Sequence, residues 1–165
     1  MEDIIKEDYQ IEIVKAQACH IDGITNLLYE VQSVHAEKRP DIFVSGGKKY
    51  TKSELENIII NKNTPIYVAT NKQNAVLGYI FCQIQSEVSK NLQPIKTLYI
   101  DDLCVDKNAR FKGIGKALFG FAKEIAKGLG CYHITLNVWH LNESALKFYQ
   151  KLGLIPLKTT MEEIL

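Results

Sequence analysis

The chain has 165 residues, 46% of them hydrophobic and 24% charged, which is a folding composition with material for a sizeable core, not a disordered one. Its 20 Lys and Arg nearly balance 19 Asp and Glu, a formal charge of +1, so no basic field calls for a nucleic acid partner. No apolar run approaches the length of a membrane span, and one domain over residues 1–165 is the expectation at this size.

The amino-terminal MEDIIKEDYQ is acidic and has no apolar h-region, so no secretory signal is expected and the expected location is cytoplasmic. Tyr9 to Ala16 alternates and reads as a first strand. Asp22 can cap a helix running to about Glu37, with Ile24, Leu27, Leu28, Val31 and Val34 on its buried face and Pro40 as the stop. Residues 39–50 are irregular, and Lys48, Lys49 and Lys62 read as solvated surface. Thr51 or Ser53 caps a short helix from Glu54 to Asn61. Pro65 to Thr70 and Val76 to Gln85 are strands joined by a polar turn, an antiparallel hairpin. After a polar loop from Glu87 to Gln93, Leu98 to Val105 forms the next strand.

A tight turn follows, opened by Arg110 and carrying Gly113 and Gly115. From Ile114 onward apolar residues recur at helical spacing: Ile114, Leu118, Phe121, Ala122, Ile125 and Leu129. Gly128 and Gly130 give the stop. Cys131 to Val138 reads as a strand, and a helix starts at Asn142. Lys158 to Leu165 can supply a last short strand. The order is β-α-α-β-β-β-α-β-α-β, an α/β protein with a mixed sheet, antiparallel first and parallel across the helical crossover. Cys19, Cys82, Cys104 and Cys131 are scattered and read as reduced, mostly buried small hydrophobes.

The glycine turn suits an anion. Glycines let backbone N–H groups approach a ligand, and the first turn of a helix has unpaired N–H groups and a positive dipole end. Arg110, Lys112 and Lys116 add charge. A plain strand-to-helix connection would also use two glycines. The turn is not a Walker P-loop, because Ala117 follows Gly115-Lys116 and no glycine stands five positions before Gly115. It is not a Rossmann fingerprint, because Leu118 takes the place of the third glycine.

Arg110, Gly113 and Gly115 resemble the [RQ]-x-x-G-x-[GA] acyl-CoA turn of the GNAT superfamily of N-acetyltransferases. Downstream, Asn142, Ala145, Phe148, Tyr149, Lys151, Gly153 and Leu154 resemble that family's N-x-x-A-x-x-F-Y-x-K-x-G-[FL] block. The resemblance covers about residues 76–155. It implies a GNAT-like fold and an acetyl-CoA cosubstrate, with no metal. The pyrophosphate would lie on the amides of Phe111, Lys112, Gly113, Ile114, Gly115 and Lys116. The thioester carbonyl would meet a backbone N–H among Leu103, Cys104 and Val105, where two strands should splay apart. Asn142 would contact CoA, although it would serve equally as a helix cap.

The resemblance also implies that Tyr149 protonates the leaving thiolate; the alternative is a packed tyrosine beside Phe148. Asp101 and Asp102 are adjacent on a central strand and are expected on opposite faces, so one carboxylate is costly to bury and marks a site. Either could receive the amine proton, Asp101 being preferred. Asp102 is expected to share a face with Ile100 and Cys104. Cys104 has no histidine partner on its strand and is not expected to act as a nucleophile. His35, Glu37, Arg39 and Asp41 read as a solvated helix end. His20, His133 and His140 have no metal-ligand spacing and read as structural.

The expected activity is acetyl transfer to a primary amine by direct attack. The partner is a small-molecule or peptide amine, and a homodimer is possible. A catalytically silent acyl-CoA-binding sensor or subunit is the rival. It would keep the glycine turn but need neither Tyr149 nor the aspartates.

Overall fold

The computed structural model describes residues 10–165, so Tyr9 and the amino-terminal stretch lie outside the described residues. Among the described residues five strands form one sheet whose spatial order follows the chain: β1 (Glu12–Lys15), β2 (Ile66–Thr70), β3 (Val76–Ser86), β4 (Lys96–Val105) and β5 (His133–Leu136). The first three pairings are antiparallel and β4–β5 is parallel. This is the mixed sheet expected from the sequence, with β5 shorter than Cys131 to Val138. Among the described residues four α-helices flank it: α1 (Ile21–Lys38), α2 (Lys52–Ile60), α3 (Ile114–Gly128) and α4 (Glu143–Lys151). No helix among the described residues is long and apolar enough to cross a membrane.

Each sheet face has its own core. On one face Ile24, Leu27 and Leu28 of α1 and Leu55 and Ile59 of α2 pack against Ile66, Val68, Tyr79 and Phe81. On the other, Leu118, Phe119, Ala122 and Ala126 of α3 pack against Ile80, Cys82, Leu98 and Ile100. The strands alternate because successive side chains leave opposite sides of the pleat. Burying such large apolar side chains contributes roughly 1.5–3 kcal/mol each before the entropy cost of folding.

Several expectations need correction. Asp22 does not cap α1; it lies in the first turn, and His20 is the N-cap. His20 is buried, with Nδ1 accepting from the Gln17 N–H at 3.0 Å and Nε2 3.1 Å from Asn74 Oδ1, so it locks the entry to the helix. Val34 and Leu129 are exposed despite their apolar spacing, because each sits at the margin of its helix's stripe. α2 begins at Lys52, and Thr51 caps it. Thr51 Oγ1 accepts from the Glu54 N–H while Glu54 Oε2 accepts from the Thr51 N–H, a reciprocal box. Only Cys82 and Cys104 are buried, and Cys19 is exposed. Lys158 to Leu165 forms no strand: the segment is exposed and joins no ladder among the described residues.

Candidate active site

β4 positions the candidate site, and an extra residue in it decides which side chains meet. Phe81 pairs with Asp102, but its neighbour Cys82 pairs with Ile100, so Asp101 is an unpaired bulge. One extra residue moves every later side chain to the opposite face. Ile100 therefore packs on the α3 face, whereas Cys104 belongs to the α1 face. The expectation that Asp102 and Ile100 share a face fails for this reason.

The bulge also brings both carboxylates to one cation, not to opposite faces. Lys49 Nζ lies 3.0 Å from Asp101 Oδ2 and 4.0 Å from Asp102 Oδ2, and donates to the Asp101 carbonyl at 3.1 Å. Lys49, expected as solvated surface, is exposed but is tied into this ion pair. The Tyr50 hydroxyl donates to Asp101 Oδ2 at 2.7 Å, and the Tyr79 hydroxyl donates to Asp102 Oδ2 at 3.2 Å. Tyr50 is held in turn by stacking on Phe81, ring centroids 5.6 Å apart.

Burial dominates the electrostatics. It raises the Asp102 carboxyl above the ordinary aspartate range, and Lys49 and the Tyr79 hydrogen bond offset that only in part. Burial also pushes the Cys104 thiol up to about 12, with the Asp102 charge adding to the effect. Tyr149, on α4, is raised first by burial and then by Asp102 and Cys104, which puts its phenol within electrostatic reach of both. Its ring meets Phe148 edge-on at 5.1 Å. Tyr79 is raised well above its ordinary value by burial, then by Asp102.

On the other side of β4 the sheet opens. The β4–β5 ladder runs from Thr97 and His133 to Ile100 and Leu136, and β4 continues to Val105 with no partner on that side among the described residues. The Asp106 N–H donates back to Leu77 on β3 at 2.8 Å. By two-residue alternation, the N–H and C=O groups of Leu103 and Val105 face the gap, while those of Cys104 face β3. The Val105 carbonyl on the gap side accepts from Arg110 Nε at 3.2 Å, which ties the start of the turn to the end of β4.

The turn has the geometry an anion needs. Phe111 and Gly113 both have positive φ, 63° and 80°. Gly113 is the N-cap of α3 in the left-handed region, with no side chain capping the helix's first N–H groups. A Cβ built on Gly113 would meet nothing within 4 Å, so its backbone conformation, not crowding, calls for glycine. Gly115 is different: a Cβ there would lie 3.2 Å from Phe148 Cζ and 3.6 Å from Val105 Cγ2. This glycine lets α3 and α4 close on the end of β4. The features fit a CoA pyrophosphate: a bare helix N-terminus with room around it and Arg110 beside it.

Asn142 is the N-cap of α4; its Oδ1 accepts from the Ala145 N–H at 3.3 Å and from Ser144 Oγ at 3.1 Å. Of the residues near the end of α1, Glu37 and Asp41 are exposed, Arg39 pairs with Asp41 at 2.7 Å and with Glu162 at 2.8 Å, and His35 packs on Phe43, so the helix end is solvated and carries surface ion pairs. No group of three His, Cys, Asp or Glu side chains among the described residues could hold a metal ion.

Residues missed at the sequence level are Lys49, Tyr50 and Tyr79. Nothing local marks Lys49 and Tyr50 within an irregular stretch. Tyr79 carried a weak signal, since a buried tyrosine seeks a hydrogen-bond partner, but its partner depends on the register of the bulge.

Residues 30–154 match the acetyltransferase (GNAT) family, and the chain belongs to that family. It is 42% identical over 93 residues to a glucosamine 6-phosphate N-acetyltransferase of Trypanosoma brucei brucei, covering 50% of this chain and 61% of the relative. A peptidyl-lysine N-acetyltransferase of Salmonella typhimurium is 29% identical over 104 residues, 62% of this chain and 59% of the relative. The chain thus spans about three fifths of the length of these two curated relatives. Among solved structures, a mutant of the BH1408 protein from Bacillus halodurans superposes with a TM-score of 0.90 at 28% identity, over 93% of this chain and 99% of that one.

Proposed function

We propose that the chain moves an acetyl group from acetyl-CoA to a primary amine by direct attack in a ternary complex. The observation that carries the reading is the gap beside β4. It lies between an uncapped helix N-terminus on one side and, at the bulge, two carboxylates and a tyrosine on the other. Acetyl-CoA supplies the activated acyl group as a thioester.

In this reading the amides of the turn from Phe111 to Lys116 hold the pyrophosphate, with Arg110, Lys112 and Lys116 adding charge. The gap-facing amides of Leu103 and Val105 hydrogen-bond the thioester carbonyl oxygen, where negative charge develops. Asp102 is the proton acceptor in this reading. Its carboxyl is raised by burial, whereas Asp101 already accepts from Tyr50 and Lys49. An acceptor ammonium competes with Lys49 for the same two carboxylates. Tyr149 keeps its proton at neutral pH and offers an O–H to the departing sulfur. Cys104 is protonated for the same reason, which favours direct attack over a covalent enzyme intermediate.

The relatives' names span an amino sugar phosphate and peptidyl lysine, so both belong in the acceptor test. Free thiol release from acetyl-CoA is measured over glucosamine 6-phosphate, a lysine peptide and a polyamine. Amine-dependent release is expected for one class. A silent CoA binder would instead show a CoA-induced rise in Tm with no thiol release for any amine. ATP displacing CoA from the turn would return the site to a general nucleotide binder.

A further inference from the structure

A primary amine of the chain's own already stands at the bulge. Lys49 Nζ lies 3.0 Å from Asp101 Oδ2 and 4.0 Å from Asp102 Oδ2, and it donates to the Asp101 carbonyl at 3.1 Å. Among the described residues it is the cation that ion-pairs with both carboxylates. The next residue holds it there: Tyr50 stacks on Phe81 and donates to Asp101. Lys48, one residue earlier, is exposed and pairs with neither aspartate.

A plain counter-ion would make the same contacts, but two observations go further. The carboxylate side chains are only 16% and 13% exposed, whereas the Lys49 side chain keeps 37%. The amine therefore stands on the open side of the cluster, where a second reactant can reach it. Its surroundings are also those an attacking amine needs. Burial makes Asp102 a proton acceptor, and the Tyr149 phenol lies within electrostatic reach of it. Leu103, the next residue along β4, turns its N–H to the gap, and successive Cα atoms are only about 3.8 Å apart. A lysine amine on a flexible four-carbon stem can move between carboxylate and thioester.

We propose that Lys49 is a self-modification site: without an external acceptor, its Nζ takes the acetyl group from acetyl-CoA bound to the same chain. The inference rests on the acetyl-transfer reading above. Asp102 takes one proton from the ammonium and passes it to solvent. The neutral Nζ attacks the thioester carbonyl carbon, so the N–C bond forms and the C–S bond breaks. The sulfur leaves as the CoA thiol with the second Nζ proton, relayed through the Tyr149 hydroxyl. The product is an uncharged N-acetyl-lysine, so a single turnover removes the cation that competes with an acceptor for the two carboxylates.

The full chain is incubated with acetyl-CoA and no amine, and its peptides are followed by mass spectrometry. Acetylation should appear at Lys49 on the order of 10²-fold faster than at Lys48, which reports uncatalysed reaction with the same thioester. The rate per chain should not change on dilution, because donor and acceptor share one molecule. Tyr149→Phe should slow acetylation at Lys49 and not at Lys48. Lys49 reacting no faster than Lys48 overturns the proposal, as does a rate per chain that rises in proportion to protein concentration. The amine panel separates the two readings. Amine-dependent thiol release with Lys49 unmodified removes self-modification and leaves the transferase, whereas no release with any amine and no modification removes both.

Discussion

Tyr149 and Asp102 are pushed the same way within one cluster, toward their protonated forms. The fold keeps the phenol protonated and makes the carboxylate reluctant to ionise. Tyr149→Phe keeps the ring and removes only the O–H. Stability should stay within about 1 kcal/mol and CoA affinity should hold, while kcat falls on the order of 10²-fold if the phenol serves the departing sulfur. A wild-type kcat with chemistry rate-limiting would make Tyr149 a packing residue only. Asp102 gives a pH signature. Because folding raises its pKa, the folded state holds the proton more tightly than the unfolded chain does. Its contribution to stability is full below about pH 3.9, the ordinary aspartate value, and is lost as pH rises through the raised value. Asp102→Asn cannot ionise and keeps an oxygen for the Tyr79 hydroxyl. The Tm difference, variant minus wild type, should therefore become more positive between about pH 3 and pH 7. A flat or falling difference would show that Lys49 fully compensates the buried charge.

At the scale of elements, two glycines set the relation of α3 to its neighbours. Gly113→Asp places a carboxylate at the uncapped N-terminus in a backbone conformation that side chains rarely adopt. Addition of CoA should raise the Tm of the wild-type chain and leave that of the variant unmoved. Gly115→Val drives a branched side chain against Phe148, and overpacking of this kind costs about 1–3 kcal/mol. Calorimetry should record that loss, and kcat should fall with it, because Tyr149 rides on the helix that is pushed away. The contrast between turn and bulge shows what a sequence discloses. The turn was legible because Arg110, Gly113 and Gly115 are neighbours in the chain and the helix begins beside them. The order of strands was legible for a similar reason, since every pairing joins strands that are consecutive in the chain. The bulge at Asp101 was not, because register is a property of two strands and LYIDDLCV alternates well enough without it. Lys49 was hidden too, as its partner lies 52 residues away across an irregular stretch.

For the whole molecule, the sheet separates two cores that share no buried side chain, one built with α1 and α2 and the other with α3. The order of the five strands across the sheet is also their order along the chain. During synthesis each new strand therefore finds its neighbour already made, and none must be threaded between two others. β1 to β4 join by antiparallel contacts, and the first core is complete in sequence once β4 has emerged. β5 is the one strand of the sheet that joins in parallel, and it can pair only after the α3 crossover has been made. Pulsed hydrogen exchange during refolding should protect β2, β3 and β4 before β5. The half of the gap contributed by β4 is thus built early, and the gap itself exists only once the last strand docks and stops four rungs along.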